Sequence, residues 1–274
     1  MKPSKIRPST VFYPVGFLIA TLAVWQLIVI FDYVDALILP PPGDVAVSFV
    51  DIILGGRVWM DVWVTTSNTL AGFAIAAIGG VGLAIITGLS PRMKAMLYPH
   101  VIALQVTPRI ALAPILIAWL GFGEGPKIAI AALIAFFPVF VNTLTGMLSI
   151  GVEEEEMFRS LGATRRQLFV DLMLPSSFPM IFAALKTAMT LALTGAVVGE
   201  FIASERGLGL LVKRYSYQLN MDDAFAVLVI LMLVGLVLYA VTAAMDSVVV
   251  FWNHDRRMNA RTLKRVRLDA RRVK

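Results

Sequence analysis

Long blocks of apolar residues, with no alternation inside them, limit what this chain can fold into more than any other feature. An apolar run of about 18 residues or more is long enough to cross a bilayer as a helix. Inside hydrocarbon every backbone N–H and C=O must find a protein partner, so only helices and closed barrels span it. Barrel strands alternate in polarity over about ten residues, and these blocks do not. Composition agrees: 58% of the residues are hydrophobic and the mean hydropathy is +0.81. The expected fold is an all-α membrane protein, one helical bundle from 1 to 274.

The blocks predict six transmembrane helices, at about 11–31, 63–89, 97–120, 127–150, 178–203 and 224–252. The first is about as long as a full span and is followed by Asp32 and Asp35, so it reads as an uncleaved helix rather than a signal peptide. Leu39-Pro40-Pro41-Pro42-Gly43 then breaks helix, and Asp44 is expected to cap a short amphipathic helix from Val45 to Leu54. Glycines in the second and fifth spans, among them Gly72, Gly80, Gly195 and Gly199, suit close helix approach.

Six spans put both termini on one side, and the basic residues say which. Lys and Arg concentrate in short cytoplasmic segments. With the N-terminus inside, seventeen of them lie inside: Lys2, Lys5, Arg7, Arg92, Lys94, Arg159, Arg165, Arg166 and nine in the tail 253–274. Five lie outside, namely Arg57, Lys127, Arg206, Lys213 and Arg214. Both termini are therefore expected in the cytoplasm. The net charge of +6 is then a topology anchor beside anionic lipid, not a nucleic-acid surface. Cysteine is absent and the two histidines, His100 and His254, lie far apart, so neither thiolate chemistry nor a metal site is expected.

One inside loop, 151–177, differs from the rest. Glu153, Glu154 and Glu155 suit a helix N-terminus, and Gly162 suits its end. Thr164 can cap a second short helix, which Pro175 is expected to stop. Met157, Phe158, Leu161 and Phe169 would then face the cytoplasm. From spacing alone this is an amphipathic connector or a docking element.

Glu156, then Gly162 six residues on, then Leu172-Met173-Leu174-Pro175, resembles the loop motif of binding-protein-dependent ABC importer permeases. Met157-Phe158 stands where that family usually has two alanines. Thr69-Leu70-Ala71-Gly72-Phe73, Thr107-Pro108-Arg109-Ile110-Ala111-Leu112-Ala113-Pro114, Phe136-Phe137-Pro138 and Gly199-Glu200-Phe201-Ile202-Ala203 resemble its nitrate/sulfonate/taurine-type branch. The resemblance implies the type I importer permease fold, with 151–177 as coupling loop. It implies that Glu156, Met157, Phe158, Leu161, Gly162, Leu174 and Pro175 dock an ATPase. It further implies two such ATPases, a second and identical permease copy, a periplasmic binding protein, and a place in the bacterial inner membrane. The solute would be small: an organic anion, a sulfonate, nitrate, or a vitamin or pyrimidine precursor.

No Gly-x-x-x-x-Gly-Lys-Ser/Thr sequence occurs. The run from Gly121 to Lys127 lacks its spacing, so ATP and Mg are expected on the separate ATPase and no cofactor on this chain. Charged groups at membrane depth are candidates for the translocation pathway. Arg109 lies mid-span between Pro108 and Pro114, where the helix should break. It would either attract an anion or cap the freed carbonyls. Lys186 lies midway along the fifth span. Glu200 lies near its outer end and could pair with Arg109, Lys186 or Arg206, whereas Asp246 is set aside as close to the inner surface. The contrasting reading is an ion-coupled carrier or a membrane enzyme. An enzyme would need convergent His, Asp or Glu residues, and few are present.

Overall fold

The computed structural model describes residues 8–202 and 204–250. The expected tail 253–274, Lys2, Lys5 and Arg7, Ala203, and the end of the sixth expected span at 251–252 lie outside the described residues. Among the described residues every regular element is a helix. Five helices among the described residues are long and apolar enough to cross a membrane, and a pair bent by 89° makes six if taken as one span.

The chain divides into two units, and the division falls within two of the long helices. The first unit holds residues 1–63 and 206–233. It contains α1 (Pro8–Ile30), α2 (Pro42–Leu54), the start of α3 (Val58–Leu89), α10 (Leu208–Tyr217) and the start of α11 (Met221–Val249). α1 is exposed along nearly its whole length. Its Trp25 indole N–H donates to the Pro40 carbonyl at 3.0 Å, and the ring packs against Phe225 with centroids 5.6 Å apart. Asp44 is not the cap of α2. That helix begins earlier, with Pro41 before it and Pro42 in its first turn, where a missing N–H costs nothing. The short helix α10 was not expected; it is held at its start by the Gly207 N–H, which donates to Asp61 Oδ1 at 2.8 Å.

The second unit, residues 64–205 and 234–274, is organised around α6 (Glu124–Leu148). Around it lie the rest of α3, α4 (Pro91–Val106), α5 (Ala113–Leu120) and α9 (Leu174–Ile202). Its core is made largely of small side chains. Ala76 of α3, Ala131 and Ala135 of α6, and Ala188, Ala192 and Ala196 of α9 are all buried together. Without a hydrophobic drive between helices in lipid, close van der Waals approach must hold them, and small residues permit it. The limit is reached at Ala131: a Cβ on Gly72 would stand 2.5 Å from the Ala131 Cβ, and one on Gly195 2.7 Å from the Ala131 Cα. A second cluster joins Ala84, Val101, Phe137, Phe140 and Leu144. A third sets Ala113 of α5 against Ile130 and Ile134 of α6.

Two proline sites behave differently from one another. α4 ends at Val106, and Thr107, which precedes Pro108, is extended at φ −65° and ψ 133°. A proline pushes the residue before it out of the helical region. The chain then makes a 3-10 turn, Arg109–Leu112, and restarts as α5, with Pro114 harmless in its first turn. The fifth expected span, by contrast, is not separated from the short helix before it. Pro175 does not stop that helix: α8 (Arg165–Gln167), a π-helical stretch Leu168–Met173 and α9 run on as one helix, Arg165–Ile202. A π turn is wider than an α turn. The Leu174 N–H reaches back five residues to the Phe169 carbonyl, and a turn widened in this way eases the clash that a proline ring makes with the preceding turn of a helix.

Candidate functional site

The segment between α6 and α9 is built by local rules that the sequence carries. α7 (Val152–Ser160) opens with Glu153, Glu154 and Glu155 in its first turn, where carboxylates face the positive end of the helix. Its far end closes on Gly162, at φ +76°. The Gly162 N–H donates to the Arg159 carbonyl at 3.0 Å and the Ala163 N–H to the Phe158 carbonyl at 3.1 Å. This left-handed closure favours glycine because it lacks a Cβ. Two residues on, Thr164 and Gln167 form a reciprocal capping box. The Gln167 N–H donates to Thr164 Oγ1 at 3.3 Å, and the Thr164 N–H donates to Gln167 Oε1 at 2.9 Å. Two helical pieces therefore meet at a turn whose shape is set by a glycine and a threonine.

The apolar side chains of this segment divide. Met157 and Leu161 stand out from the surface, 54% and 78% exposed. Phe158 and Phe169 are half-buried, so they support the turn more than they present a surface. Glu156 is exposed on the same short helix. Arg159 is held by Glu155, with a closest contact of 2.6 Å. Leu174 and Pro175, expected to dock a partner, are half-buried inside the continuous helix, where the π-helical stretch passes into α9.

The three charged candidates at membrane depth are not brought together. Arg109 lies half-buried against the broken span. Its Nη2 donates to the Gln105 carbonyl at 3.1 Å and its Nη1 to the Ile134 carbonyl at 3.4 Å, while the guanidinium carbon sits 4.7 Å from the centre of the Phe137 ring. Lys186 makes an ion pair with Asp246 of α11 at 2.6 Å, both about a quarter exposed. Asp246, set aside in the sequence reading, is thus the partner of an intramembrane lysine. Glu200 is fully buried and accepts from Thr65 Oγ1 at 2.8 Å.

A polar cluster at the N-terminal end of α6 was missed. Lys127, counted as a loop residue by its charge, is 2% exposed. It donates to Glu124 Oε1 and to Ser204 Oγ, each at 3.0 Å, and Asn68 of α3 donates to the other Glu124 oxygen. A Cβ on Gly199 would meet the Lys127 Cα at 2.9 Å, so that glycine is what lets the lysine stem lie flat between helices. Glu124 and Lys127, three apart at the start of an apolar block, were the only trace of this in the sequence. Among the described residues no group of three or more His, Cys, Asp or Glu is placed to hold a metal.

The family described as "Binding-protein-dependent transport system inner membrane component" matches residues 80–250. The formylaminopyrimidine transport permease protein of Halalkalibacterium halodurans is 36% identical over 66% of this chain and 72% of its own length. The riboflavin transport system permease protein of Chloroflexus aurantiacus is 35% identical, covering 86% and 88%. A putative aliphatic sulfonates transport permease protein of Bacillus subtilis is 30% identical, covering 78% of both. Among solved structures, a chain of the methionine ABC transporter MetNI in an inward-facing conformation matches with TM-score 0.62 at 18% identity, over 70% of this chain and 95% of that one. At that identity the likeness is one of fold.

Proposed function

This chain belongs to the family of binding-protein-dependent transport system inner membrane components, and we propose that it couples ATP hydrolysis on partner subunits to solute movement through its segment 151–177. It is a multi-pass permease subunit of an ABC importer and is itself non-catalytic. The observation that carries the coupling role is the turn at Gly162 and Thr164, with Met157 and Leu161 exposed beside it. Exposed apolar side chains on a rigid polar scaffold are what a partner groove buries. Glu156, Met157, Phe158, Leu161 and Gly162 form the docking element, and Leu174 and Pro175 connect it to α9. Because the helix runs unbroken from Arg165 to Ile202, displacement of the docking element is passed along a rigid rod into the bundle.

The assembly we propose has two identical permease copies, two ATPases carrying ATP and Mg, and a periplasmic binding protein. In this reading both termini lie in the cytoplasm, which the basic asymmetry of the sequence supports. The substrate is a small nitrogen heterocycle of the vitamin-precursor class. The relatives named for formylaminopyrimidine and riboflavin transport are more similar to this chain than the sulfonate relative. Lys186 is also neutralised by Asp246, so it does not stand as a bare cation for a simple anion. Lys186, Glu200 and Arg109 are proposed to border the pathway as groups already held by protein.

Replacing Met157 and Leu161 by Glu tests the docking role. The ATPase should no longer co-purify, while the permease inserts normally. Undiminished recovery of the ATPase would remove the segment from the interface. Uptake of a labelled substituted pyrimidine against a labelled alkanesulfonate, in cells holding the complete importer, tests the substrate class; preference for the sulfonate would overturn it.

A further inference from the structure

We propose that Arg109 is a positioning residue: its guanidinium stands in for two main-chain donors, one lost where α4 ends ahead of Pro108 and one absent at Pro138, and so sets where the broken span leaves its axis. This rests on the importer reading above only for its transport readout.

Two carbonyls here lack their helical donor, one because the helix stops and one because the donor position is a proline. The Gln105 carbonyl would accept from the N–H of residue 109, but the helix ends at Val106 ahead of Pro108. The Ile134 carbonyl would accept from residue 138, which is Pro138, inside α6. At membrane depth no water replaces such donors, and an unpaired carbonyl costs free energy on the scale of a lost hydrogen bond. Arg109 serves both, with Nη2 on Gln105 and Nη1 on Ile134. One planar group with several fixed donors can bridge two carbonyls; a lysine ammonium is a single point on a flexible stem. The guanidinium carbon lies over the ring of Phe137, itself 3% exposed and set edge-on to Phe136 at 5.3 Å. A cation over a ring face is stabilised there without a carboxylate. The same turn of α6 supplies Ile134 to the cluster that holds Ala113 at the start of α5. Two proline defects, one just past the end of α4 and one inside α6, are thereby keyed to one another by a single side chain.

The chain has no cysteine, so spin labels at Trp119→Cys and Thr145→Cys, both exposed, report α5 against α6 in the complete importer. Four forms are compared: unaltered, Arg109→Met, Arg109→Lys, and Arg109→Met with Pro138→Ala. The last returns an N–H to the Ile134 carbonyl. Arg109→Met should broaden the label distance and lower uptake per assembled complex about tenfold, the scale of one buried acceptor left unpaired. Arg109→Lys should fall between it and the unaltered protein. Adding Pro138→Ala should narrow the distance again and recover uptake to within about threefold of normal. Unchanged distance in Arg109→Met overturns the proposal. So does reduced uptake with no recovery by Pro138→Ala, which would make Arg109 a group that meets the solute. Should Arg109→Met fail to assemble while the double variant assembles, the proposal stands; should both fail, an unaltered distance in Arg109→Lys overturns it. Absence of ATP-driven uptake in the unaltered complex would refute the importer reading, and the distances would still decide this one.

Discussion

The proline at 108 ends a helix and turns the chain by 89°, whereas the proline at 175 is passed over without a break. Both stand in apolar surroundings, and both were expected to stop a helix. The difference lies in the turn before each. Ahead of Pro175 the helix has already widened into a π turn. Ahead of Pro108 the helix has no such slack; Thr107 goes extended, and Arg109 takes up the carbonyl left behind. A proline is therefore a demand for one missing donor and some room, and these two sites answer it differently, one by breaking and one by widening. In this permease the broken region bends a span, and the unbroken one runs as a single helix from Arg165 into the bundle, the lever proposed above for the segment 151–177.

The largest effect should come from stiffening the wrong place on the unbroken side. Gly162→Pro forces φ near −65° where the turn needs +76°, so ATPase co-purification and uptake should be lost together; retained coupling would show that the lever does not begin at this turn. Next, Pro108→Ala removes the constraint on Thr107 and offers a new N–H. Uptake per complex should fall by about tenfold, as for a typical one to two kcal/mol disturbance, and normal uptake would mean the bend does not depend on that proline. Thr164→Ala removes the hydroxyl half of the capping box. About 1 kcal/mol of local helix stability should be lost, read as roughly fivefold weaker ATPase binding. The smallest change is expected at Pro175→Ala: where the turn is already wide, uptake should stay within about twofold, and a loss as large as that at Pro108 would erase the contrast between the two sites.

The coupling segment was the most legible part of the chain because its signals are local. Acids at a helix start, a glycine at a left-handed closure and a threonine cap all act within one or two turns, and the structure places them as read. The small-residue contacts of α3 and α9 with α6 were foreseeable in kind, yet only packing chose Gly72 and Gly195 for Ala131. Gly82, equally visible in the sequence, would have its Cβ in open space. Asp44 was misread as a cap because three prolines can start a helix as well as stop one, and here Pro42 starts it.

The sequence by itself determined that this chain crosses a membrane as helices, how many apolar blocks it has, and that a rigid two-piece element lies between two of them. Those properties follow from hydropathy, length and capping chemistry, which act over a few residues. Tertiary structure alone decided which charges meet. Lys186 found Asp246 sixty residues away, Lys127 left its expected loop for a buried site beside Gly199, and Arg109 reached the carbonyl that Pro138 had orphaned. The reason is that in a low-dielectric interior a polar group must be satisfied by whatever the packing brings within about 3 Å, and neighbours across helices are set by the crossing of backbones rather than by order along the chain.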